Sequence, residues 1–322
     1  MAFQTATGQD LRLAADWLRR SELVAIPTET VYGLAGNALD DRAIVKIFET
    51  KERPLYNPLI IHVGHPDQIN DLIVSPDAEV RALIDAFWPG PLTLLLDRTS
   101  RVPDLVCAGL PRVAVRMPDH GLTLALIQTC GFPLAAPSAN LFGRISPTTA
   151  EHVKSQLAGR IPYILDGGPC RVGVESTILG REDGVWKIYR RGGVTMADLE
   201  PVIGPVEVVT TSEVPEAPGM LPWHYAPETP LTIGDTPPAE AKRVGWLRFR
   251  KAMPGVPEEH QFILAPDGDL RSAARRLYEG LHHLDALHLD QLLAEPVPEE
   301  GIGRAINDRL RRAATPRHPD SI

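Results

Sequence analysis

Cysteine is scarce in this chain of 322 residues. Cys107, Cys130 and Cys170 are odd in number, far apart and without a C-x-x-C pair. That argues against a disulfide framework or a zinc knuckle and leaves buried thiols in a reducing cytosol as the expectation. No apolar run of ~20 residues survives to span a bilayer. The longest uncharged stretch, 120–143, is interrupted by Pro133, Pro137, Ser138 and Asn140. The start lacks a charged segment followed by an apolar core, so no signal peptide is expected and the chain reads as soluble and cytoplasmic. Positive charge is also in short supply: 33 Lys+Arg stand against 41 Asp+Glu, a net −8. Both halves are acidic, so neither is a basic nucleic-acid clamp overall, though a local cationic cavity fits the balance.

Most standard motifs are absent as well. There is no Gly-Lys pair, hence no phosphate loop of the G-x-x-x-x-G-K type. Gly301 and Gly303 are an isolated fragment of a dinucleotide fingerprint and read as a turn that opens a helix. No G-x-S-x-G elbow, H-E-x-x-H or calcium loop occurs. His62 and His65 have H-x-x-H spacing but no neighbouring carboxylate or cysteine to complete a zinc site. His282, His283 and His288 read as a solvated helix face.

What is present is 43% hydrophobic residues and 31 prolines. The length fits two domains. Helices are expected at 9–20, 41–51, 76–87, 120–129 and 148–157, from their 3.6-residue apolar spacing and their caps. Strands are expected at 23–27, 59–63, 92–96, 112–116, 133–137, 163–166, 176–179 and 186–190. Helices and strands mix without strict alternation, which predicts a twisted mixed sheet. Residues 210–230 are proline-rich and aperiodic, a linker by composition, but Trp223, His224 and Tyr225 give them something to pack. Beyond lie strands at 246–249, 261–265 and 290–297 and helices at 270–284 and 303–314, a small α/β unit. The expected division is 1–209, a linker at 210–230, and 231–322.

Polar residues cluster at strand ends and tight turns, where sites are usually built. Pro27-Thr-Glu-Thr-Val-Tyr-Gly33 follows a strand; its hydroxyls either orient a small polar ligand or cap a turn. Lys51, Arg53 and Asn57 leave a helix that Pro54 breaks; they either project into a site or answer the helix dipole. Ser138 and Asn140 either bind phosphate or sugar, or cap the next helix. Arg112 and Arg116 share one strand face and Arg190 ends another strand. Buried arginines need anionic partners, and with no acidic run nearby in sequence a bound polyphosphate or carboxylate is the economical one.

In order along the chain, PTETVYGL (27–34), K-x-R with RPxxNPL (51–59), VAVRMP (113–118), PSAN (137–140), SPTTAEHV (146–153), ESTI (175–178) and RRGG (190–193) resemble the threonylcarbamoyl-AMP synthases of the YrdC-like fold. PGM…HYAP (218–227) and the C-terminal unit resemble the longer form with a Rossmann-like α/β domain. The resemblance implies a nucleotidyltransferase that makes threonylcarbamoyl-AMP and pyrophosphate from L-threonine, bicarbonate and ATP. A separate tRNA threonylcarbamoyl transferase complex would receive the product, for the adenosine beside the anticodon, and no membrane is involved.

By the same resemblance, Thr30, His62, Arg116, Ser176 and the backbone at Ala136 hold threonine. Lys51, Arg53, Asn57, Ser138, Asn140, Ser146 and Arg190 hold ATP, with Lys51 and Arg53 as the catalytic cations, and Tyr225 lies over the nucleotide. Mg2+ is expected to travel with ATP, so no metal motif is needed. Two positions depart from the family pattern. Arg112 replaces a small hydroxyl residue that contacts ATP, and Leu221, Pro222 and Trp223 replace basic linker residues. The expectation is that Lys51, Arg53, Arg112, Arg116 and Arg190 gather in one cavity. The competing reading is an RNA-binding module with a cationic concave face, which the acidic balance disfavours.

Overall fold

The computed structural model describes residues 3–209, 218–220 and 224–316. The first unit runs β1 (Ala6–Gly8), α1 (Leu11–Arg19), β2 (Val24–Ile26), β3 (Gly33–Asn37), α2 (Asp41–Lys51), β4 (Ile60–His62), α3 (Ala78–Phe87), β5 (Leu92–Asp97) and β6 (Arg112–Arg116). It continues with α4 (Gly121–Cys130), β7 (Leu134–Ala135), α5 (Ala150–Leu157), β8 (Tyr163–Leu165), β9 (Thr177–Glu182), β10 (Val185–Arg190), α6 (Met196–Ile203) and β11 (Val206–Val208). These strands form one mixed eleven-stranded sheet, ordered β1-β8-β2-β3-β7-β4-β6-β5-β9-β10-β11.

Local chemistry sets the boundaries. Asp10, Asp40 and Asp77 cap α1, α2 and α3 by accepting from backbone N–H groups of the first turns. Glu52 takes the left-handed conformation just past α2 (φ 55°), and Pro54 bars continuation. Ile44, Ile47 and Phe48 bury the inner face of α2 as its spacing predicts. The three free cysteines are buried, and burial pushes the Cys107 and Cys130 thiols up to about 11.

Several elements differ from the sequence expectation. β3 starts at Gly33, the last residue of the segment read as a turn or ligand loop, and runs on through residues given no element; Gly-Leu-Ala-Gly-Asn has no alternating pattern to announce a strand. α6 carries Pro201 inside it, and β1, β11 and β12 are three-residue strands too short for a period.

The second unit comprises β12 (Leu231–Ile233), β13 (Val244–Arg248), β14 (Gln261–Ile263), α7 (Leu270–Asp285), β15 (Gln291–Ala294) and α8 (Gly303–Ala314). Its four strands are all parallel, ordered β12-β15-β13-β14. The apolar cluster under α7 and α8 also takes in Val31, Ile145 and Val174 of the first unit, so one hydrophobic layer joins the two. At this seam the loop at Gly173 meets α7 so closely that a Cβ would lie 2.3 Å from the Arg275 Cα.

Candidate functional site

The site lies at the middle of the large sheet. β4 and β6 are parallel neighbours, and their register sets His62 opposite Arg116 at the carboxyl ends of both strands. Beside them β7 runs out into Ala136-Pro137-Ser138, and Gly33 pairs across to Ser138 through an isolated bridge. Thr28 caps the turn after β2, accepting from the N–H groups of Thr30 and Val31 while its hydroxyl donates to the Val31 carbonyl. Thr28 thus organises the turn, and Thr30 faces a cavity that Thr28, Thr30, His62, Ala136, Ser138 and Ser176 help to line.

Three arginines reach this cavity: Arg53, Arg116 and Arg190. Arg116 donates to Thr30 Oγ1 (2.9 Å) and the Gly90 carbonyl (3.2 Å). Arg53 grips its own loop through the Asn57 and Pro58 carbonyls and Asn57 Oδ1. Arg190 donates to the Ser176 and Pro218 carbonyls and to Ser176 Oγ (3.1 Å). Lys51 stands behind the wall, fully buried, its Nζ donating to the Ser138 and Asn140 carbonyls. Burial and the neighbouring Arg53 hold its pKa well below the lysine range. Asn140 fixes the following turn by donating to the Leu141 and Arg144 carbonyls. The Ala136 N–H already donates to the Ile60 carbonyl, which leaves its own carbonyl for any ligand.

The expectation of five cations in one cavity needs correction. Arg112 shares the sheet face of Arg116 but stands at the other end of β6. Its guanidinium lies 5.0 Å from the Tyr189 ring centre and donates to the Tyr189 hydroxyl, outside the cavity lining. The expected lack of protein anions is also overturned. Arg116 pairs with Glu29 at 2.5 Å, with both side chains almost fully buried. That contact is close but not aligned as a hydrogen bond, so Arg116 Nη2 keeps a donor without a partner.

His62 lines the cavity as a neutral ring: burial first, then the Arg116 charge, brings its pKa down to about 3. His224 and Tyr225 come in from the linker, and Tyr225 is held at φ 65°. Among the described residues, buried polar atoms without a hydrogen-bond partner concentrate here and in the layer behind: Asn57 Nδ2, Asn140 Oδ1, His224 Nδ1, the Tyr225 hydroxyl, and Arg116 Nη2 and the Glu29 oxygens, which meet only as an ion pair. Such atoms are costly unless something binds them. The remaining free space is about 50 Å³, room for a few waters and far below the hundreds of Å³ a nucleotide fills. Leu221, Pro222 and Trp223 lie outside the described residues.

Sequence reading passed over the acidic members. Glu29 pairs with Arg116 without entering the lining, whereas Glu175 lines the cavity and accepts from Ser146 Oγ (2.7 Å), the Tyr278 hydroxyl (3.0 Å) and Arg309 Nε (2.7 Å). Ser146 is thus tied to Glu175 rather than open to the cavity. Burial raises the Glu175 pKa, but the Arg309 and Arg190 charges, with the hydrogen bonds from Arg309 and Ser146, outweigh it and the net shift is downward. A signal for Arg309 was available: it falls on the apolar stripe of Ala305, Ile306, Leu310 and Ala313 in α8. His282 likewise corrects the solvated reading. It stacks on His152 at 3.9 Å across the seam and approaches the Ser146 carbonyl, while burial lowers its pKa to about 4.

Against known proteins, residues 16–192 match the Sua5–YciO–YrdC family model, described as "Telomere recombination". Residues 194–315 match a model described as "Threonylcarbamoyl-AMP synthase, C-terminal domain". The chain is 43% identical over 317 residues to the threonylcarbamoyl-AMP synthase of Bacillus subtilis, covering 94% of this chain and 92% of that one. It is 40% identical over 321 residues to the one of Pyrococcus abyssi, covering 94% of each. The crystal structure of P. abyssi Sua5 complexed with L-threonine superposes with a TM-score of 0.89 at 38% identity, over 96% of this chain and 97% of that one.

Proposed function

The chain belongs to the threonylcarbamoyl-AMP synthase family, and from that premise we propose how its residues carry the reaction. The enzyme is an L-threonylcarbamoyladenylate synthase, a nucleotidyltransferase of tRNA modification. In our reading the threonine nitrogen forms a bond to carbon derived from bicarbonate, with loss of water, to give a carbamate. A carbamate oxygen then attacks the α-phosphorus of ATP, the bond to the bridging oxygen breaks, and pyrophosphate leaves. No covalent nucleophile is needed; the site has to align two substrates and balance charge.

The observation that supports this is the set of buried polar atoms with no hydrogen-bond partner among the described residues, around three arginines on separate elements. Arg116, with Thr30, His62, Ser176 and the Ala136 carbonyl, would take the carboxylate, hydroxyl and amine of threonine. Arg53 and Arg190, with Ser138, Asn57 and Asn140 beside them, would take the triphosphate, because guanidinium forks match phosphate oxygens. Lys51 shapes the loop from behind by holding two carbonyls. Arg112 would reach the nucleotide only by leaving Tyr189. With so little free space, the segment carrying His224 and Tyr225 must withdraw to admit ATP and then close over it.

Magnesium fits this arrangement as a companion of the triphosphate. Glu29 and Glu175, the site's carboxylates, are both held by arginines, and among the described residues no group of three His, Cys, Asp or Glu could hold an ion. Among the described residues no helix is long and apolar enough to cross a membrane. We place the enzyme in the cytoplasm, handing its product to a separate tRNA threonylcarbamoyl transferase complex. Pyrophosphate release that requires threonine, bicarbonate and ATP together is the test. Release at an equal rate without threonine rejects the reading.

A further inference from the structure

We propose that Arg309 is a positioning residue for the nucleotide half of the site, contributed by the second unit, which neutralises the cavity-lining carboxylate of Glu175. The inference rests on the reading that the cavity takes ATP, and it gives the second unit a part in nucleotide binding.

Glu175 is an anion in the wall of a site meant for a polyanion. It is 5% exposed, so little water screens it. Its neighbours come from five segments: Arg309 of α8, Tyr278 of α7, Arg190 of β10, Tyr225 of the linker and Ser146 of the loop before α5. Three of its donors, Ser146 Oγ, the Tyr278 hydroxyl and Arg309 Nε, occupy both carboxylate oxygens, and the last two belong to the second unit. Arg309 is itself completely buried. Its remaining nitrogens donate to Asp308 and to the Arg191 carbonyl, and its guanidinium lies 5.0 Å from the Tyr225 ring centre. The fork is therefore locked on four sides.

Removing Arg309 harms ATP by two routes with one sign. An unneutralised Glu175 repels phosphate, and it also draws on Arg190, the cation that donates to the Ser176 carbonyl beside it. The threonine carboxylate, proposed to bind at Arg116, faces a cation that pairs with Glu29 and not with Glu175, and should feel less of this. A side chain that only docked the two units would instead affect both ligands and stability together.

The test is calorimetric titration of the full chain with magnesium-ATP and, separately, with threonine. R309M should bind ATP about tenfold more weakly, the loss expected for one unpaired charge near a polyphosphate, with threonine affinity within about threefold of wild type. The double variant E175Q/R309M removes the offending charge and should return to within about threefold of wild type for ATP. Unchanged ATP binding in R309M overturns the proposal, as does a parallel loss of both ligands or a double variant no better than R309M. Should R309M not fold, R309K keeps the charge without the fork; ATP binding within about threefold of wild type supports the proposal, and a greater loss overturns it. A wild-type chain that binds no ATP rejects the underlying reading instead.

Discussion

Glu29 Oε2 stands 2.5 Å from Arg116 Nη2, and the two side chains are 2% and 4% exposed. Glu29 belongs to the turn after β2 and Arg116 to the end of β6, so the pair ties the turn to the strand that would grip the threonine carboxylate. Removing one partner of a buried pair leaves an uncompensated charge, at a cost of about 3 kcal/mol. E29Q should lose roughly that stability in urea denaturation and show a raised KM for threonine. A loss under about 1 kcal/mol would mean that Arg116 is held by Thr30 and Gly90 alone.

Buried histidines set the acid limit of the fold. Burial brings His62 and His152 down to about 3 and His282 to about 4, and holds His224 well below its ordinary value. In the unfolded chain each protonates near pH 6.5. Folded pKa values below unfolded ones mean that stability is complete above about pH 6.5 and falls as the pH drops toward the folded values. Each histidine contributes a slope of about 1.4 kcal/mol per pH unit in that window. Urea denaturation at pH 7, 6 and 5 should show a steep fall, and H282Q should remove about one proton from the slope. A flat profile between pH 7 and 5 contradicts neutral burial.

The seam between the units has little tolerance at Gly173. A Cβ there would meet the Arg275 Cα at 2.3 Å and the Ala274 carbonyl at 2.4 Å, and φ is +81°. Both contacts are backbone of α7, which cannot move aside as a flexible side chain can. G173A should destabilise by more than about 2 kcal/mol and weaken ATP binding, because Tyr278 and Arg309 would draw back from Glu175. Retention of wild-type stability and ATP affinity would show that α7 can yield.

Arg53 tests the cationic loop. Its fork satisfies two carbonyls and Asn57 Oδ1 in its own segment, and its guanidinium lies 5.9 Å from the Phe142 ring centre. Lysine keeps the charge but loses the planar fork. R53K should reduce kcat/KM for ATP by about a hundredfold, the scale of losing one oriented donor on a developing charge. Turnover within about twofold of wild type would remove Arg53 from the phosphate site.

The regular elements of the first unit were legible because their signals are local. Asp40 before Ile44, Ile47 and Phe48 spells a capped amphipathic helix, and β2, β4 and β6 are short apolar runs closed by turn or charged residues. The site's cations were legible for a related reason: Arg116 and Arg190 end strands that otherwise read as buried. Pairings across the fold were not. Glu29 reads as a turn residue until β6 brings Arg116 to it, and 134 residues separate Glu175 from Arg309. Arg112 shows the same limit from the other side, since strand spacing gives its face but not its partner, Tyr189.

Tyr225 separates stability from binding. Its side chain is 1% exposed and its hydroxyl has no hydrogen-bond partner among the described residues. An unsatisfied buried hydroxyl costs about 1–3 kcal/mol, so deleting it should not harm the ligand-free protein. Y225F should match or exceed wild-type stability in urea. If the hydroxyl meets the nucleotide once the linker closes, the same change should raise the KM for ATP about tenfold, the worth of one hydrogen bond to a charged group. Y225A goes further, since it removes the ring beneath the Arg309 guanidinium and opens a cavity at the seam; it should lose about 3–5 kcal/mol as well. A Y225F enzyme with unchanged KM for ATP would confine Tyr225 to packing against Arg309 and Tyr278 and take it out of the nucleotide site.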